Sequence, residues 1–214
     1  LTVVSNRKVF DDSTAILMDF RCDQSKGIHF IYMLPFSKTK ALVESTLFSK
    51  HIQKNSYYLN SIKSYLSRFY KLNRFTVLHK EKGAIPLTYI CLLNKNRVNI
   101  GTRGGATRVS SGYTFYFIQK QVIRVVNQLK LNKKIKSDVH NFFEILMDKV
   151  FIDVLDRNPE KGPDIFLQLT SQLSGNEMAN FMSGNFKLII WLKIIFKLPK
   201  IIFIKSLYRI LKYG

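Results

Sequence analysis

The sequence predicts an α+β fold, with an antiparallel or mixed sheet followed by C-terminal helices. Short apolar runs separated by tight polar turns fill the first third: "TAILMDFR", "IHFIYMLPF" and "KALVESTLF". Apolar residues at helical spacing dominate from Tyr113 onward. Strands therefore come first and helices last, the order of an α+β chain rather than of an alternating βαβ one. At 214 residues the chain is long enough for one good-sized domain or a large part of a two-domain protein.

The three runs are joined through "CDQSKG" and "SKT", connections short enough for a meander. Apolar residues fall on both faces of these strands, which predicts a sheet covered on both sides. From Ser56 to Leu72 the pattern becomes helical, with Tyr58, Ile62, Tyr65, Leu66 and Phe69 sharing one face. Two further strands are predicted, "RFTVLHKE" and "AIPLTYICLL". Then "RVNIG" ends at the glycines of "TRGGATRVSSG", and a helix is expected from Tyr113 to Leu131. After the basic linker "KLNKKIK" come helices at 138–156 and 159–173, Asn158 and Pro159 supplying cap and first turn, and a shorter one at "GNEMANFMSG". These patterns divide the chain into a sheet region with one helix (1–95), a strand, glycine loop and helix (96–136), a helical region (137–184) and a basic tail (185–214).

The tail holds seven basic residues, Lys187, Lys193, Lys197, Lys200, Lys205, Arg209 and Lys212, and no acid. Charges interrupt its apolar residues too often for a spanning helix of roughly 20 residues, and Pro199 is expected to break it in two. Lys205, Arg209 and Lys212 share one face of the second half, opposite Ile201 and Ile202. That arrangement suits a helix lying in a membrane interface with its cations at the headgroups; the alternative is a basic amphipathic helix packed on the protein's own core.

Lys and Arg outnumber Asp and Glu by 34 to 14, a formal net charge of +20 that favours anionic partners. Nucleic acid is not expected among them: no binding motif is present, and aromatics do not interleave the basic runs as a stacking platform requires. Cys22 and Cys91 lie far apart in strand-like runs and read as buried thiols in a reducing compartment. His29, His51, His79 and His140 are scattered, so no metal site is predicted. The chain opens at Leu1 without a basic, apolar leader, and a truncated start is expected.

Two segments can carry chemistry. In "IGTRGGATRVSSGYTF" the glycines allow close backbone approach, Ser110 or Ser111 can cap the following helix, and the positive helix end favours an anionic group above the loop. The glycine spacing does not fit G-x-G-x-x-G, and a simple strand-to-helix turn accounts for the segment equally well. In "KALVESTLFS" alternation sets Glu44 on one face with Leu42, Thr46 and Phe48. Covered, that carboxylate would be desolvated and suited to holding a proton; uncovered, it is a solvent-facing acid.

The blocks "LMDFR", "FIYMLPFSKTKALVESTLFS", "EKGAIPLT" and "GTRGGATRVSSGYTF", in that order, resemble the carotenoid lycopene beta-cyclases. The later "VFIDVLDRNPEKGPDIFLQLTSQLSGNEMANFMSG" and "KLPKIIFIKSLYRIL" look like the end of bacterial members, so the resemblance spans essentially the whole chain. It implies the C-terminal portion of a two-domain fold like that of FAD-binding hydroxylases and geranylgeranyl reductases, without the N-terminal dinucleotide-binding loop. It implies reduced FAD as cofactor, NADPH as the flavin's reductant, lycopene and related acyclic carotenoids as substrates, and a peripheral position on the cytoplasmic face of the membrane. By the same resemblance Glu44 is the proton-handling acid; the second acid of the plant version is Ser45 here. Gly101, Gly104, Gly105, Ser110, Ser111 and Gly112 belong to a flavin-facing loop whose usual P-S-T-G-Y reads Val109, Ser110, Ser111, Gly112, Tyr113. "EKGAIP" lies beside the flavin and substrate tunnel, with Glu81 a second catalytic residue and Pro86, Phe48 and Tyr113 lining the tunnel. The chain by itself is then expected neither to hold FAD tightly nor to cyclise. The competing classes are a related flavoprotein, such as a geranylgeranyl reductase or aromatic hydroxylase, and a non-catalytic basic membrane-surface module.

Overall fold

The computed structural model describes residues 1–89, 98–171, 173–184 and 188–213. It packs as two compact units, Leu1–Ala84 and Ile85–Gly214. The first is a five-stranded sheet with one helix: β1 Thr2–Val4, β2 Ile16–Asp19, β3 Ile28–Ser37, β4 Lys40–Phe48, α1 Asn55–Tyr70 and β5 Thr76–His79. Strand order is β2-β3-β4-β1-β5, antiparallel at every pairing. The predicted meander is β2-β3-β4, and β4 runs over the residues expected of it.

Strand β1 is a finding that the sequence reading missed. Three residues are too few to show a period, yet Val3 is fully buried and pairs with Ala41 on one side and Val77 on the other, so β1 joins the meander to β5. Helix α1 lays Ile62, Tyr65 and Leu66 on the sheet, where they meet Ile31, Met33, Ala41 and Val43 in one buried cluster. It stops where Lys71 adopts a left-handed conformation (φ 52°) and the Leu72 N–H returns to Leu66 O at 3.1 Å, an end of the Schellman type. The two-sided cover expected of the sheet is not found within this unit. Helix α1 covers one face, while on the other Leu17 and Phe36 are more than half exposed.

The second unit is helical: α2 Phe115–Lys130, α3 Phe142–Arg157, α4 Gly162–Ser171, α5 Gly175–Met182, α6 Leu188–Lys197 and α7 Lys200–Tyr213. Helices α3 and α5 open with capping boxes, Asn141 with Glu144 and Ser174 with Glu177. Pro159 begins a 3-10 turn ahead of α4, and Pro199 separates α6 from α7 as expected. The strand predicted over "AIPLTYICLL" is not formed at residues 84–89, and its remainder, with Cys91, lies outside the described residues. Val98–Ile100 is likewise no strand; the chain enters the glycines through a 3-10 turn at Gly101–Gly104. Nor does Cys22 sit in a strand: it follows β2, half-buried, its thiol donating to His29 O at 3.2 Å and pushed up to about 12 by burial.

Helix α7 packs on α3. Ser206, fully buried, donates to Val150 O at 3.0 Å, the Phe203 and Phe151 rings lie 6.3 Å apart, and Arg209 pairs with Asp153. Arg209 is therefore turned inward, away from the outward cationic row predicted for it. Lys205 and Lys212 remain exposed, together with Ile201, Ile204, Tyr208 and Leu211. No helix among the described residues is long and apolar enough to cross a membrane.

Candidate functional site

Period-two alternation explains where Glu44 points. Ala41 and Val43 are fully buried under α1, so Leu42, Glu44, Thr46 and Phe48 take the opposite face. There Glu44 is exposed and pairs in register with Tyr32, with Leu34 opposite Leu42 and Phe30 opposite Thr46. One flank is an aromatic wall: Phe48 meets Phe30 edge-on at 5.6 Å, and Phe30 meets Phe20 at 5.8 Å. Phe48, predicted for the tunnel, thus borders the face that carries Glu44.

Glu81 follows β5 and is exposed, its Oε1 lying 2.9 Å from His79 Nε2. Register brings it towards Glu44: β1 lies between β4 and β5, with Thr2 paired to Leu42 on one side and His79 on the other. The register therefore puts Glu44, on β4, and Glu81, two residues past β5, on either side of β1 near one end of the sheet.

In the second unit the glycine segment is held from below by two residues that the sequence reading missed. Gln121, fully buried on α2, accepts from the Gly101 N–H at 2.7 Å and donates to the Gly104 and Ser137 carbonyls at 2.8 Å each, clamping the 3-10 turn to the helix. Arg108 is buried and its Nε contacts both Asp148 oxygens at 2.8 Å; Asp148 also accepts from the Tyr89 hydroxyl at 3.1 Å. Burial, then the charge of Asp148, pushes the Tyr89 phenol up, so it acts as a donor.

The glycines have local reasons to be there. Gly101, Gly105 and Gly112 have φ of 70°, 74° and 72°, which L side chains rarely adopt, and a Cβ at Gly104 would collide with Asn99 O. Several of their amides are spent inside the loop: Gly105 N–H donates to Thr102 O, and Ser111 and Gly112 N–H both donate to Arg108 O. Ser110 and Ser111 do not cap α2 as expected. The N-cap is Thr114, whose hydroxyl bonds Thr107 Oγ1 and Gly112 O and leaves the helix without a side-chain cap. The first turn of α2 also has no acid. An uncapped, acid-free helix start suits an anionic group.

Pro86 is brought to this loop by its neighbours: a Cβ on Gly112 would lie 3.8 Å from Leu87 Cδ2 and 3.9 Å from the Ile85 side chain. Pro86 itself is exposed, and Tyr113, partly exposed, sets its ring edge on Phe117 at 6.4 Å. The structure thus gathers Pro86, Gly112 and Tyr113 in one unit and Glu44, Phe48 and Glu81 in the other.

The described residues thus hold a sheet unit with an acid on an aromatic-flanked face and a helical unit with a glycine-rich entry to α2. The model of the family described as lycopene cyclase protein matches residues 1–208, and the chain belongs to that family. No curated protein and no solved structure matches the chain.

Proposed function

We propose that this chain acts in the conversion of acyclic end groups of lycopene to beta-ionone rings, a proton-initiated cyclisation without net redox change. The observation that carries the reading is the family match over residues 1–208. In this reaction an end group accepts a proton at carbon, the cation closes to a six-membered ring, and a proton leaves. Electrons balance without an external oxidant, which makes the step an isomerisation.

Glu44 is the residue we assign to proton handling. Its place among Tyr32, Thr46 and Phe48 lets a polyene end lie across an apolar and aromatic face with one carboxylate within it. Glu81 is the second acid of the same sheet end. A carboxyl group used this way needs water kept from the cation, which the face acquires when the substrate lies on it.

FAD is the cofactor we assign, with NADPH as its reductant. The uncapped start of α2, free of acid, fits an anionic ring system; Gly101, Gly104, Gly105, Ser110, Ser111 and Gly112 would border it by close backbone approach, the Gly101, Gly105, Ser111 and Gly112 amides being bonded within the loop and to Gln121. When bound, reduced FAD supplies negative charge that stabilises the substrate cation.

The substrate resides in the bilayer, so we place the chain peripherally on the cytoplasmic face of the membrane. Ile189, Phe196, Ile201, Ile204 and Leu211 are each more than 60% exposed, beside Lys197, Lys200, Lys205 and Lys212. This composition suits α6 and α7 lying in the interface. Sedimentation with anionic vesicles, weakened when Ile201, Ile204 and Leu211 are changed to Ser, tests the placement. Pigment analysis of lycopene-producing bacteria expressing wild type or Glu44→Gln tests the reaction.

A further inference from the structure

The sheet unit carries a groove that the proposed reaction does not use. It runs between the outer face of α1 and β5. Leu59, Lys63 and Ser67 line it at four-residue intervals along the helix, with Phe75 just before the returning strand and Val77 within it. The end of α1 explains how it forms. The left-handed Lys71 turns the chain back, the Arg7 guanidinium holds the Lys71 carbonyl, and Ser67 Oγ donates to Asn73 Oδ1 at 2.6 Å. Arg74 is thereby set beside Lys63 and Arg68 in one lining.

That lining contains three cations and no acid, and all three cations are exposed. Three cations with no acid beside them give the groove a positive field that favours an anionic occupant. Carotenoids are uncharged hydrocarbons, so the proposed substrate gives no reason for the cluster. Leu59, Phe75 and Val77 line the same groove, and Val77 is still 42% exposed. An occupant with a phosphate joined directly to an apolar portion meets both halves of this chemistry; a free inorganic ion meets only one.

We propose that the groove between α1 and β5 binds the headgroup phosphate of an anionic phospholipid, with Lys63, Arg68 and Arg74 on the phosphate oxygens and Leu59, Phe75 and Val77 against the adjoining glyceride chain. Being built wholly within the sheet unit, the site is separate from helices α6 and α7, and it stands or falls independently of the cyclisation.

The test is titration of the full chain with dihexanoyl phosphatidic acid below its micelle concentration, so that membrane docking by other segments does not contribute. Dihexanoyl phosphatidylcholine and inorganic pyrophosphate serve as the comparison probes. We expect saturable binding of the phosphatidic acid that Lys63→Gln, Arg68→Gln and Arg74→Gln together weaken on the order of a hundredfold, three cations each worth several-fold. Removing three exposed charges elsewhere in the unit, Lys8→Gln, Lys26→Gln and Lys54→Gln, is expected to change it less than about threefold. Unchanged circular dichroism in both variants keeps folding out of the comparison. Equal binding of pyrophosphate would overturn the lipid assignment. Equal binding by the groove variant and wild type, or no binding of phosphatidic acid, would overturn the site.

Discussion

Tyr32 and Glu44 face each other across the β3–β4 ladder, on the side of the sheet away from α1. The pair explains how a carboxylate can sit in an otherwise apolar strand without cost to folding. Its neighbours Val43 and Ala41 supply the core, and the acid itself stays exposed. Glu44→Gln is accordingly expected to change unfolding free energy by less than about 0.5 kcal/mol. A urea melt that shifted by several kcal/mol would show that the carboxylate holds the sheet together.

Arg108 and Asp148 behave in the opposite way. With both side chains at most 5% exposed, removing one partner strands a buried charge. Asp148→Ala is expected to cost about 3–5 kcal/mol, whereas replacing the pair together by Met and Leu is expected to cost much less. Thermal melts of the two variants check this. A single substitution no worse than the double would mean that water already reaches the pair.

Stability should also depend on His29. The ring is fully buried; Nδ1 lies 2.8 Å from Asp23 O and Nε2 lies 2.8 Å from Ser45 Oγ. Burial lowers its pKa, against the smaller raising effect of Asp23. The unfolded chain therefore takes up a proton near the ordinary histidine value, about 6.5, while the folded chain still resists it. The contribution is complete above that pH and is lost as pH falls through it towards the depressed folded value. Denaturant melts at stepped pH should show a decline below that point that His29→Gln removes; the same decline in the variant would assign the effect to another group.

The glycine segment gives a sharper test of backbone geometry. A Cβ at Gly104 meets the backbone of Asn99, which has no side-chain freedom to yield, and also Gln121 Nε2. Gly104→Ala should destabilise the loop by about 1–3 kcal/mol, read as faster amide exchange at Gly101 and Gly105. Gly175→Ala, where nothing lies within 4 Å of the new Cβ and α5 begins, is expected to be neutral or slightly stabilising.

Most elements were legible because their side chains repeat with a period. Strands β3 and β4, helix α1 and the helices after Tyr113 all have runs long enough for alternation or helical spacing to show, and Pro199 announces its break. What escaped notice depends on partners distant in sequence. Strand β1 exists because β4 and β5 flank it, not because "TVV" is periodic. Gln121 and Asp148 are polar residues within helices, and only the folded chain shows that each faces a loop instead of solvent. Helical spacing marks Arg209 as an outward cation because it cannot see Asp153 on another helix. Glu44 stands out in the sequence as an acid in an apolar strand, but its proposed role rests on the resemblance; alternation tells only which neighbours share its face.

The assignment of Glu44 is tested most directly by pigment. The protein at its full natural length is expressed in lycopene-producing bacteria as wild type and as Glu44→Gln, and carotenoids are separated by chromatography while bound flavin is measured in parallel. Beta-ringed products from wild type, reduced at least about a hundredfold in the variant with flavin content unchanged, are the expected result. Equal cyclisation by the variant would remove Glu44 from the chemistry and turn attention to Glu81; lycopene left intact by a flavin-loaded wild type would contradict the proposed reaction itself.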